Sequence, residues 1–419
     1  MKIRIILSFL FLLNLQLFAQ DTETKIIIGN IDIIDSKILN ETRKVWVYVP
    51  NGADPSLYSQ LRYPVVYVLD GDAHFYSVVG MIQQLSQVNG NTICPEMIVV
   101  GIPNTNRTRD LTPKTTVNDP KLKAIQASAE ASSGGNELFL SFIENELMPY
   151  INENYPTSTF NALIGHSFGG LTVMNALTNH TKMFNSYICI DPSMWWDNGK
   201  FLKETEKKLS TLDFSGKTLY LGIANTMEEG MNIKKVVKDT TQDTEHIRSI
   251  LEMDKYIKSE KPKGLRYASK YYENDSHGSV PLITEYDALH FIFESLRLKI
   301  SNKDFEASSP TAFINKIDNH YKEASKLMGY TIKPSESQIN NFGYVFLEMK
   351  KYEQSDFLFS MNIKNYPNSF NVYDSYGDYY LAIGDKTKAI ENFKKALSLK
   401  ENPDSRRKYE ELIKKSENK

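Results

Sequence analysis

One serine in this sequence has the surroundings of a catalytic nucleophile. Ser167 lies in the spacing Gly-x-Ser-x-Gly, between an apolar stretch typical of a strand and one typical of a helix. Such a turn presents the hydroxyl in a strained backbone conformation, and Gly165 and Gly169 are expected where larger side chains would crowd it. The free N–H groups of the following helix would face a developing oxyanion. The alternative is a glycine-rich turn without chemistry, but the flanking elements and Gly170 favour a nucleophile.

A serine hydroxyl needs a general base, and the sequence contains only seven histidines. His277 follows the last predicted strand, in a short polar loop beside Gly278. A base in such a loop can reach a nucleophile at the carboxyl edge of a parallel sheet. The other histidines precede the serine, lie within or at the end of predicted helices, or follow a linker. We therefore interpret His277 as the base rather than as an ordinary loop residue.

The acid that orients the base is expected after the penultimate strand, in a loop that contains Glu228 and Glu229. We predict Glu228, which would fix the tautomer of the imidazole and stabilise the imidazolium. The alternative is that both glutamates are merely solvated, and Asp275 or Asp191 would then serve.

Two backbone N–H groups are expected to bind the oxyanion. One belongs to Phe168, the residue after the nucleophile. The other belongs to Asp72, in the turn after a buried strand that ends at Leu69, where Gly71 would allow close approach. An ordinary turn at residues 70–72 is the alternative.

These residues need a scaffold, and the sequence predicts alternating strands and helices. An antiparallel pair is followed by continuous apolar runs of the kind found in buried parallel strands. The predicted strands are 25–38, 42–50, 63–69, 97–102, 185–190, 217–224 and 265–273, with a further strand before Ser167. The predicted helices between and after them include 74–88, 137–154 and a closing helix at 284–300. This order predicts an α/β fold with a mostly parallel sheet and helices on both faces, and we assign it to residues 21–300.

The strand signal stops after Ser301. Residues 301–309 are polar and predict a linker. Ser309 followed by Pro310 is typical of a helix start, and this helix is expected to extend to about Met328.

The remaining residues, within a predicted helical region at 310–419, contain a repeat. The segment 341–344 recurs at 375–378, 34 positions later, and Phe359 matches Phe393 at the same spacing. This period is typical of tetratricopeptide helix pairs. Two copies are few for an independent solenoid, so we expect the region to pack against the catalytic domain or a partner.

Composition and the first residues indicate an exported protein. Residues 1–20 combine basic residues, an apolar run and a small residue at the expected cleavage site, which predicts a signal peptide and a periplasmic or secreted location. No other stretch is long enough to span a bilayer. The net charge of −2 gives no reason to expect a nucleic-acid partner. Cys94 and Cys189 are predicted to be buried thiols, and no metal or organic cofactor is implied.

A polar insertion at residues 104–136 follows a parallel strand, at the edge where open α/β sheets bind ligands. This insertion, Trp195 and Trp196 are predicted to wall a substrate pocket. His166, beside the nucleophile, is a further candidate for substrate contact.

Two arginines in the insertion are candidates for binding an acidic or catecholate-bearing substrate. They are Arg107 and Arg109. The alternative, which we favour, is that they pair with Asp110 and fix the loop.

Five short motifs together resemble the putative-esterase family of α/β-hydrolases, which includes esterase D and the esterases of enterochelin-type siderophores. The motifs are VLDGD (68–72), NRTRDLTP (106–113), GHSFGG (165–170), DPSMWW (191–196) and SHGSVP (276–281). The resemblance covers residues 26–300. It implies an α/β-hydrolase fold with Ser167 as nucleophile, His277 as base and Phe168 as oxyanion donor. Relatives tend to place the acid soon after an Ala-Asn pair, whereas here Thr226 and Met227 intervene, so the acid stays open.

The resemblance implies substrates that include siderophore trilactones, carbohydrate esters, thioesters and acyl-transfer substrates. We therefore predict a secreted serine esterase that cleaves a small-molecule or glycan ester through an acyl-enzyme. Two alternatives remain: a binding protein that holds a protein partner through its repeats, and an acyltransferase on the same fold.

Overall fold

The structure is a computed structural model that describes residues 26–50, 62–88, 91–115, 133–307 and 309–417. The predicted signal peptide and the middle of the insertion, residues 116–132, lie outside the described residues. Within those ranges, no helix is both long enough and apolar enough to cross a membrane.

The described strands form one eight-stranded sheet. They are β1 Asn30–Ser36, β2 Glu41–Tyr48, β3 Tyr63–Leu69, β4 Ile98–Ile102, β5 Thr157–His166, β6 Ser186–Ile190, β7 Lys217–Ala224 and β8 Leu265–Tyr272. Their order is β1-β2-β4-β3-β5-β6-β7-β8. The pairs β1–β2 and β2–β4 are antiparallel and all others are parallel, which confirms the predicted mostly parallel sheet.

Side chains of the central strands alternate between two apolar layers. Along β3, Val65, Tyr67 and Leu69 belong to one buried cluster, and Val66 and Val68 belong to the other. Because both faces of the sheet are covered, a central strand is apolar throughout instead of alternating with polar residues.

Helices cover the sheet. They are α1 Gly71–Ser86, α2 Arg107–Leu111, α3 Asn136–Phe142, α4 Met148–Asn154, α5 Phe168–Asn179, α6 Lys200–Thr211, α7 Ile233–Val236, α8 Glu245–Glu260 and α9 Val280–Ile292. A π-helical turn, Ile143–Leu147, joins α3 to α4, so the helix predicted from Glu137 to Asn154 contains a π-helical segment.

Two helices begin earlier than the sequence predicted. α1 begins at Gly71 rather than at His74, because Asp70 adopts a left-handed conformation with φ 52° and its carbonyl accepts the N–H groups of Ala73 and His74. The turn predicted at residues 70–72 is therefore the first turn of a helix. The closing helix likewise begins four residues early, at Val280.

A second group of helices follows the sheet domain. They are α10 Asn302–Glu306, α11 Pro310–Met328, α12 Glu336–Glu348, α13 Tyr352–Asn365, α14 Phe370–Ala382, α15 Lys386–Leu399 and α16 Pro403–Glu417. The start and end predicted for α11 are confirmed. The predicted linker contains a short helix, α10, because Ser301 and Asp304 form a capping box.

Two glycine–phenylalanine contacts explain the 34-residue spacing. A Cβ on Gly343 would lie 2.7 Å from the ring of Phe359, and a Cβ on Gly377 would lie 2.6 Å from the ring of Phe393. Each glycine thus lets the first helix of a pair approach the second more closely than any larger residue would allow. The pairs α12–α13 and α14–α15 are two copies of one unit.

The helical region packs against the amino-terminal end of the sheet. Met328, at the end of α11, belongs to the same buried cluster as Val66 and Val68. The hydroxyl of Thr159, near the start of β5, donates to the carbonyl of Gly329 at 3.2 Å. Since the carboxyl end of β5 leads to the predicted nucleophile, the repeats lie at the edge of the sheet away from it.

Both cysteines are buried as free thiols, as predicted. Burial raises the pKa of Cys94 to about 12 and raises that of Cys189 as well. Neither thiol is therefore a thiolate near neutral pH.

One buried carboxyl makes the stability of the core depend on pH. Glu285 on α9 is 1% exposed, and neither of its side-chain oxygens has a hydrogen-bond partner among the described residues. Burial raises its pKa from 4.5 to about 8. The unfolded chain ionises this group at lower pH than the folded chain does, so stability is lost as pH rises between these two values.

We predict that Glu285→Gln raises the free energy of unfolding at pH 8 by about 4 kcal/mol and leaves it nearly unchanged at pH 4. The amide keeps the shape of the protonated acid but cannot ionise. Urea denaturation at the two pH values measures the difference. Glu348→Gln, at an exposed carboxylate, is the control and should have little effect at either pH. An equal effect of Glu285→Gln at pH 4 and pH 8 would contradict this prediction.

Candidate active site

Ser167 lies at the sharp turn between β5 and α5. Its backbone has φ 60° and ψ −113°, a strained conformation for a residue with a side chain. Its N–H donates to the carbonyl of Ile190 at 3.0 Å, which ties the turn to the end of β6. The turn thus has the geometry that the glycine spacing predicted for a nucleophile elbow.

Close approach at this turn requires glycine at positions 165 and 170. A Cβ on Gly165 would overlap the carbonyl of Gly169, and a Cβ on Gly170 would lie 2.7 Å from Cβ of Pro192. By contrast, the nearest atom to a Cβ on Gly169 would be 3.5 Å away, an ordinary contact. The expectation that Gly169 is sterically required is therefore wrong, because the residues after β6 pack against Gly170 instead.

The predicted base, His277, pairs with a buried carboxylate. Its Nδ1 lies 2.6 Å from Oδ2 of Asp191, whose side chain is completely buried. The other carboxylate oxygen accepts the N–H of Ala224 at 2.9 Å. Burial alone would raise the pKa of Asp191, but hydrogen bonds from His246 and His277 hold it well below its usual value. Asp191 is therefore ionised and oriented toward His277.

This geometry corrects the predicted acid. Glu228 and Glu229 are exposed in the loop after β7, and it is Asp191, after β6, that contacts His277. Asp275, the other fallback, accepts the hydroxyl of Ser279 at 3.0 Å. Asp191 is thus one of the two fallback acids named from the sequence. It could not be preferred over Glu228 because the order of the strands in the sheet, and not the order of the chain, brings the end of β6 near the histidine.

The loop after β7 supports the histidine loop through its backbone. The N–H of Asn225 donates to the carbonyl of Asp275 at 2.8 Å, and its side-chain amide donates to the carbonyl of Glu273 at 2.9 Å. These bonds fix the segment that leads to His277.

The hydroxyl of Ser167 has a serine as its neighbour. Its Oγ lies 3.4 Å from Oγ of Ser193, a buried residue whose N–H donates to the carbonyl of Ser167 at 3.2 Å. Within the described part of the chain, no hydrogen bond joins Ser167 Oγ to His277. Both residues nevertheless lie at the carboxyl edge of the sheet, where the rings of His166 and His277 are 4.4 Å apart.

Both predicted oxyanion donors lie at helix starts. Phe168 is the first residue of α5, and Asp72 is the second residue of α1. Backbone N–H groups in these positions precede the first hydrogen bond of their helix, so they have no acceptor within it. The Asp72 carboxylate itself lies near Asn104, whose side-chain amide donates to it at 3.3 Å.

Arg107 joins the start of α1 to the nucleophile turn. Its guanidinium donates to both carboxylate oxygens of Asp70, at 2.6 and 2.9 Å, and reaches the carbonyl of His166 at 3.4 Å. It also lies 5.4 Å from the ring centre of Phe168. About a third of its side chain remains exposed, so a substrate can still contact it.

Arg109 forms ion pairs within the insertion and with β2. It pairs with Asp110 at 2.7 Å, as the alternative interpretation expected, and also with Glu41 at 2.8 Å. Asp110 in turn pairs with the buried Arg43 at 2.7 Å. This network fixes the start of the insertion against β2 and does not favour a substrate contact by Arg109.

The two tryptophans have different roles. Trp196 is fully buried, and its indole N–H donates to the carbonyl of Pro113 at 3.0 Å. Trp196 therefore packs beneath the start of the insertion as a core residue. The prediction that it walls a substrate pocket is wrong. Trp195 is partly exposed, and its indole N–H donates to Nδ1 of His246 at 3.2 Å.

Four histidines form a row along this edge of the sheet. The ring centres of His74 and His166 are 5.9 Å apart, and those of His246 and His277 are 5.1 Å apart. Burial and the neighbouring His277 lower the pKa of His166 to about 4, so it is neutral near pH 7. From the sequence, His246 is predicted to lie in a helix and has no assigned function. No local motif distinguishes it from a surface histidine.

Asp191, His246 and His277 place three potential ligand atoms within 4.8 Å of one another. A shared cation would need lone pairs on the nitrogens that face Asp191. The N–H of Trp195 occupies the lone pair on Nδ1 of His246, so its other nitrogen carries a proton. The donor pattern thus fits hydrogen bonds to the carboxylate better than metal ligation.

Fold and site together define an α/β-hydrolase with a nucleophile elbow and a histidine–aspartate pair. The model of the family described as "Putative esterase" matches residues 36–241, and a tetratricopeptide-repeat model matches residues 370–403. An IroE-like serine hydrolase from Shewanella oneidensis is 30% identical, with a TM-score of 0.62, over 80% of this chain and 98% of its own. The chain therefore belongs to the putative-esterase family.

Two further proteins are similar. An uncharacterised protein from Capnocytophaga ochracea, 19% identical, shares the fold with a TM-score of 0.65 over 88% of this chain and 93% of its own. The siderophore triacetylfusarinine C esterase of Aspergillus fumigatus is 29% identical over 157 residues, which are 35% of this chain. The chain spans half the length of that curated relative.

The glycines of the turn provide a matched pair of variants. We predict that Gly170→Ala lowers the free energy of unfolding by about 1–3 kcal/mol, because its methyl group would overlap Pro192. Gly169→Ala should be neutral or stabilise by up to about 1 kcal/mol, since alanine favours the helix and meets no close atom. Urea denaturation measures both. A larger loss for Gly169→Ala than for Gly170→Ala would contradict the steric argument.

Proposed function

We propose that the protein hydrolyses a carboxylic ester through an acyl-enzyme on Ser167. The observation that carries this proposal is the Asp191–His277 pair at the same edge of the sheet as the strained serine. Membership of the putative-esterase family supports it.

In the proposed reaction, Ser167 Oγ attacks the ester carbonyl and His277 Nε2 takes its proton. Asp191 accepts a hydrogen bond from the Nδ1–H of His277. This bond leaves the lone pair of Nε2 directed away from the carboxylate, and the negative charge of Asp191 stabilises the imidazolium. The N–H groups of Phe168 and Asp72 bind the oxyanion. His277 then protonates the leaving alcohol, and a water molecule activated by the same nitrogen releases the acid.

The hydrogen bond between Ser167 and His277 forms in the substrate complex in this proposal. Catalytic hydrogen bonds often tighten only when substrate binds. Ser193, which shares the neighbourhood of Ser167 Oγ, would hold the hydroxyl until then.

We further propose a siderophore ester as the substrate class. A curated relative is named as a siderophore esterase. Arg107 presents a partly exposed cation beside the nucleophile turn, which suits a catecholate or another anionic substrate group. Export by a signal peptide at residues 1–20 would place the enzyme where such substrates occur.

The repeats are proposed to bind a protein partner. They match a tetratricopeptide model and lie at the amino-terminal end of the sheet, so an occupied repeat region would leave the active-site edge open. The partner role adds to the esterase activity in this proposal and does not replace it.

We predict that Ser167→Ala abolishes hydrolysis of p-nitrophenyl butyrate and labelling by a fluorophosphonate. Asp191→Asn should lower kcat by about 10³- to 10⁴-fold, because the amide cannot hold the required tautomer. Glu228→Gln is the matched control at the originally predicted acid and should retain full activity. Loss of activity in Glu228→Gln with retention in Asp191→Asn would reverse the assignment, and turnover by Ser167→Ala would eliminate the mechanism.

We predict that the enzyme cleaves siderophore esters with a higher kcat/KM than xylan-acetyl, feruloyl or simple acyl esters, as measured by product release. Arg107→Lys should weaken this preference, because lysine keeps the charge but loses the bidentate hold on Asp70. Equal kcat/KM for all ester classes would argue against the siderophore assignment while leaving ester hydrolysis in place.

A further inference from the structure

We propose that His246 is a positioning residue that holds the catalytic carboxylate in place through the same oxygen that His277 contacts. The inference rests on the proposed esterase function. Oδ2 of Asp191 lies 2.9 Å from Nε2 of His246 and 2.6 Å from Nδ1 of His277. Both rings therefore direct a nitrogen at one oxygen, with their planes nearly perpendicular at 88°.

The protonation of His246 follows from its second partner. An indole N–H can only donate, so the hydrogen bond from Trp195 requires a lone pair on Nδ1 of His246. The remaining nitrogen, Nε2, must carry the proton, and it therefore donates to Asp191. Trp195 thus selects a neutral tautomer in which His246 acts as a donor.

The carboxylate consequently has a hydrogen-bond donor on each of its two oxygens, and Oδ2 has two. Oδ1 accepts the N–H of Ala224, and Oδ2 accepts one N–H from each histidine. A fully buried carboxylate needs such donors to remain ionised. With its orientation fixed, Asp191 accepts a hydrogen bond from Nδ1–H of His277. Nε2 of His277 is therefore unprotonated and acts as the base.

Helix α8 supplies a third hydrogen-bond donor to Asp191, in addition to those from β7 and from the loop after β8. His246 is the second residue of α8, and Asp191 follows β6 with a positive φ of 40°. Ala224 and His277 approach the carboxylate from β7 and from the loop after β8. Only His246 approaches from a helix outside the sheet, so it fixes the rotation of a carboxylate whose backbone is itself strained.

Two amide variants separate the hydrogen bond from the volume of the ring. In His246→Gln the amide nitrogen can occupy the position of Nε2 and still donate to Asp191. In His246→Asn the shorter amide reaches only the position of Nδ1 and leaves Asp191 without this donor. His246→Leu keeps the bulk and removes both hydrogen bonds.

We expect His246→Asn and His246→Leu to lower kcat by about 10- to 100-fold, the range for losing one hydrogen bond to a charged group. KM should stay nearly unchanged, because His246 touches the acid and not the substrate. His246→Gln should restore most of kcat. Equal losses in Gln and Asn, or an unchanged kcat in all three variants, would overturn the proposal.

A spectroscopic measurement tests the same point without turnover. The Nδ1 proton of His277 in its short bond to Asp191 should give a far-downfield proton resonance in the full-length protein. The resonance should persist in His246→Gln and shift or disappear in His246→Asn. Persistence in all variants would overturn the positioning role even if the esterase assays succeed. A wild-type protein with the resonance but no ester hydrolysis would instead refute the proposed function alone.

Discussion

The geometry of the site depends on one buried charge. Removing the Asp191 carboxylate from water is costly, and the cost is offset only by donors with good geometry. Those donors come from the end of β7, from the loop after β8 and from α8. The parallel pairing of β6, β7 and β8 brings these segments to the same place. A change in the register of these strands would therefore also move the donors away from Asp191.

Backbone strain is concentrated at the same edge. Asp70, Ser167 and Asp191 are non-glycine residues with positive φ, and each directly follows a strand, β3, β5 and β6 respectively. Strain of this kind persists only where surrounding contacts enforce it. At Asp70 the strained backbone is held by the ion pair with Arg107. The serine turn is stabilised by the packing of Pro192 on Gly170. At Asp191 the hydrogen bonds from the two histidines hold the side chain in place. The reactive side chains are thus held by contacts from helices and loops that the sheet brings together.

The features that the sequence predicted well are those encoded locally. The strand-to-helix turn of Ser167 is specified by adjacent residues, and His277 could be found because so few histidines lie in loops after strands. The acid could not be found in this way. Glu228 lies after the expected strand in the chain, but Asp191 is selected by which strand ends stand side by side, and His246 is selected by the packing of a helix. The prediction for Trp196 is wrong for a similar reason. Its N–H donates to the carbonyl of Pro113 and its ring packs against Phe168 and Trp195, contacts that the chain makes only once it is folded.

The helical repeats pack at the edge of the sheet opposite the one that carries the site, because the two edges of a parallel sheet differ. The turns that carry Asp70, Ser167 and Asp191 all lie at the carboxyl edge. At the amino-terminal edge, Met328 belongs to the buried cluster that also contains Val66 and Val68. A helical region attached at that edge gains apolar contact without shielding the nucleophile. A partner bound to the repeats, as we propose, would therefore leave the approach to Ser167 open.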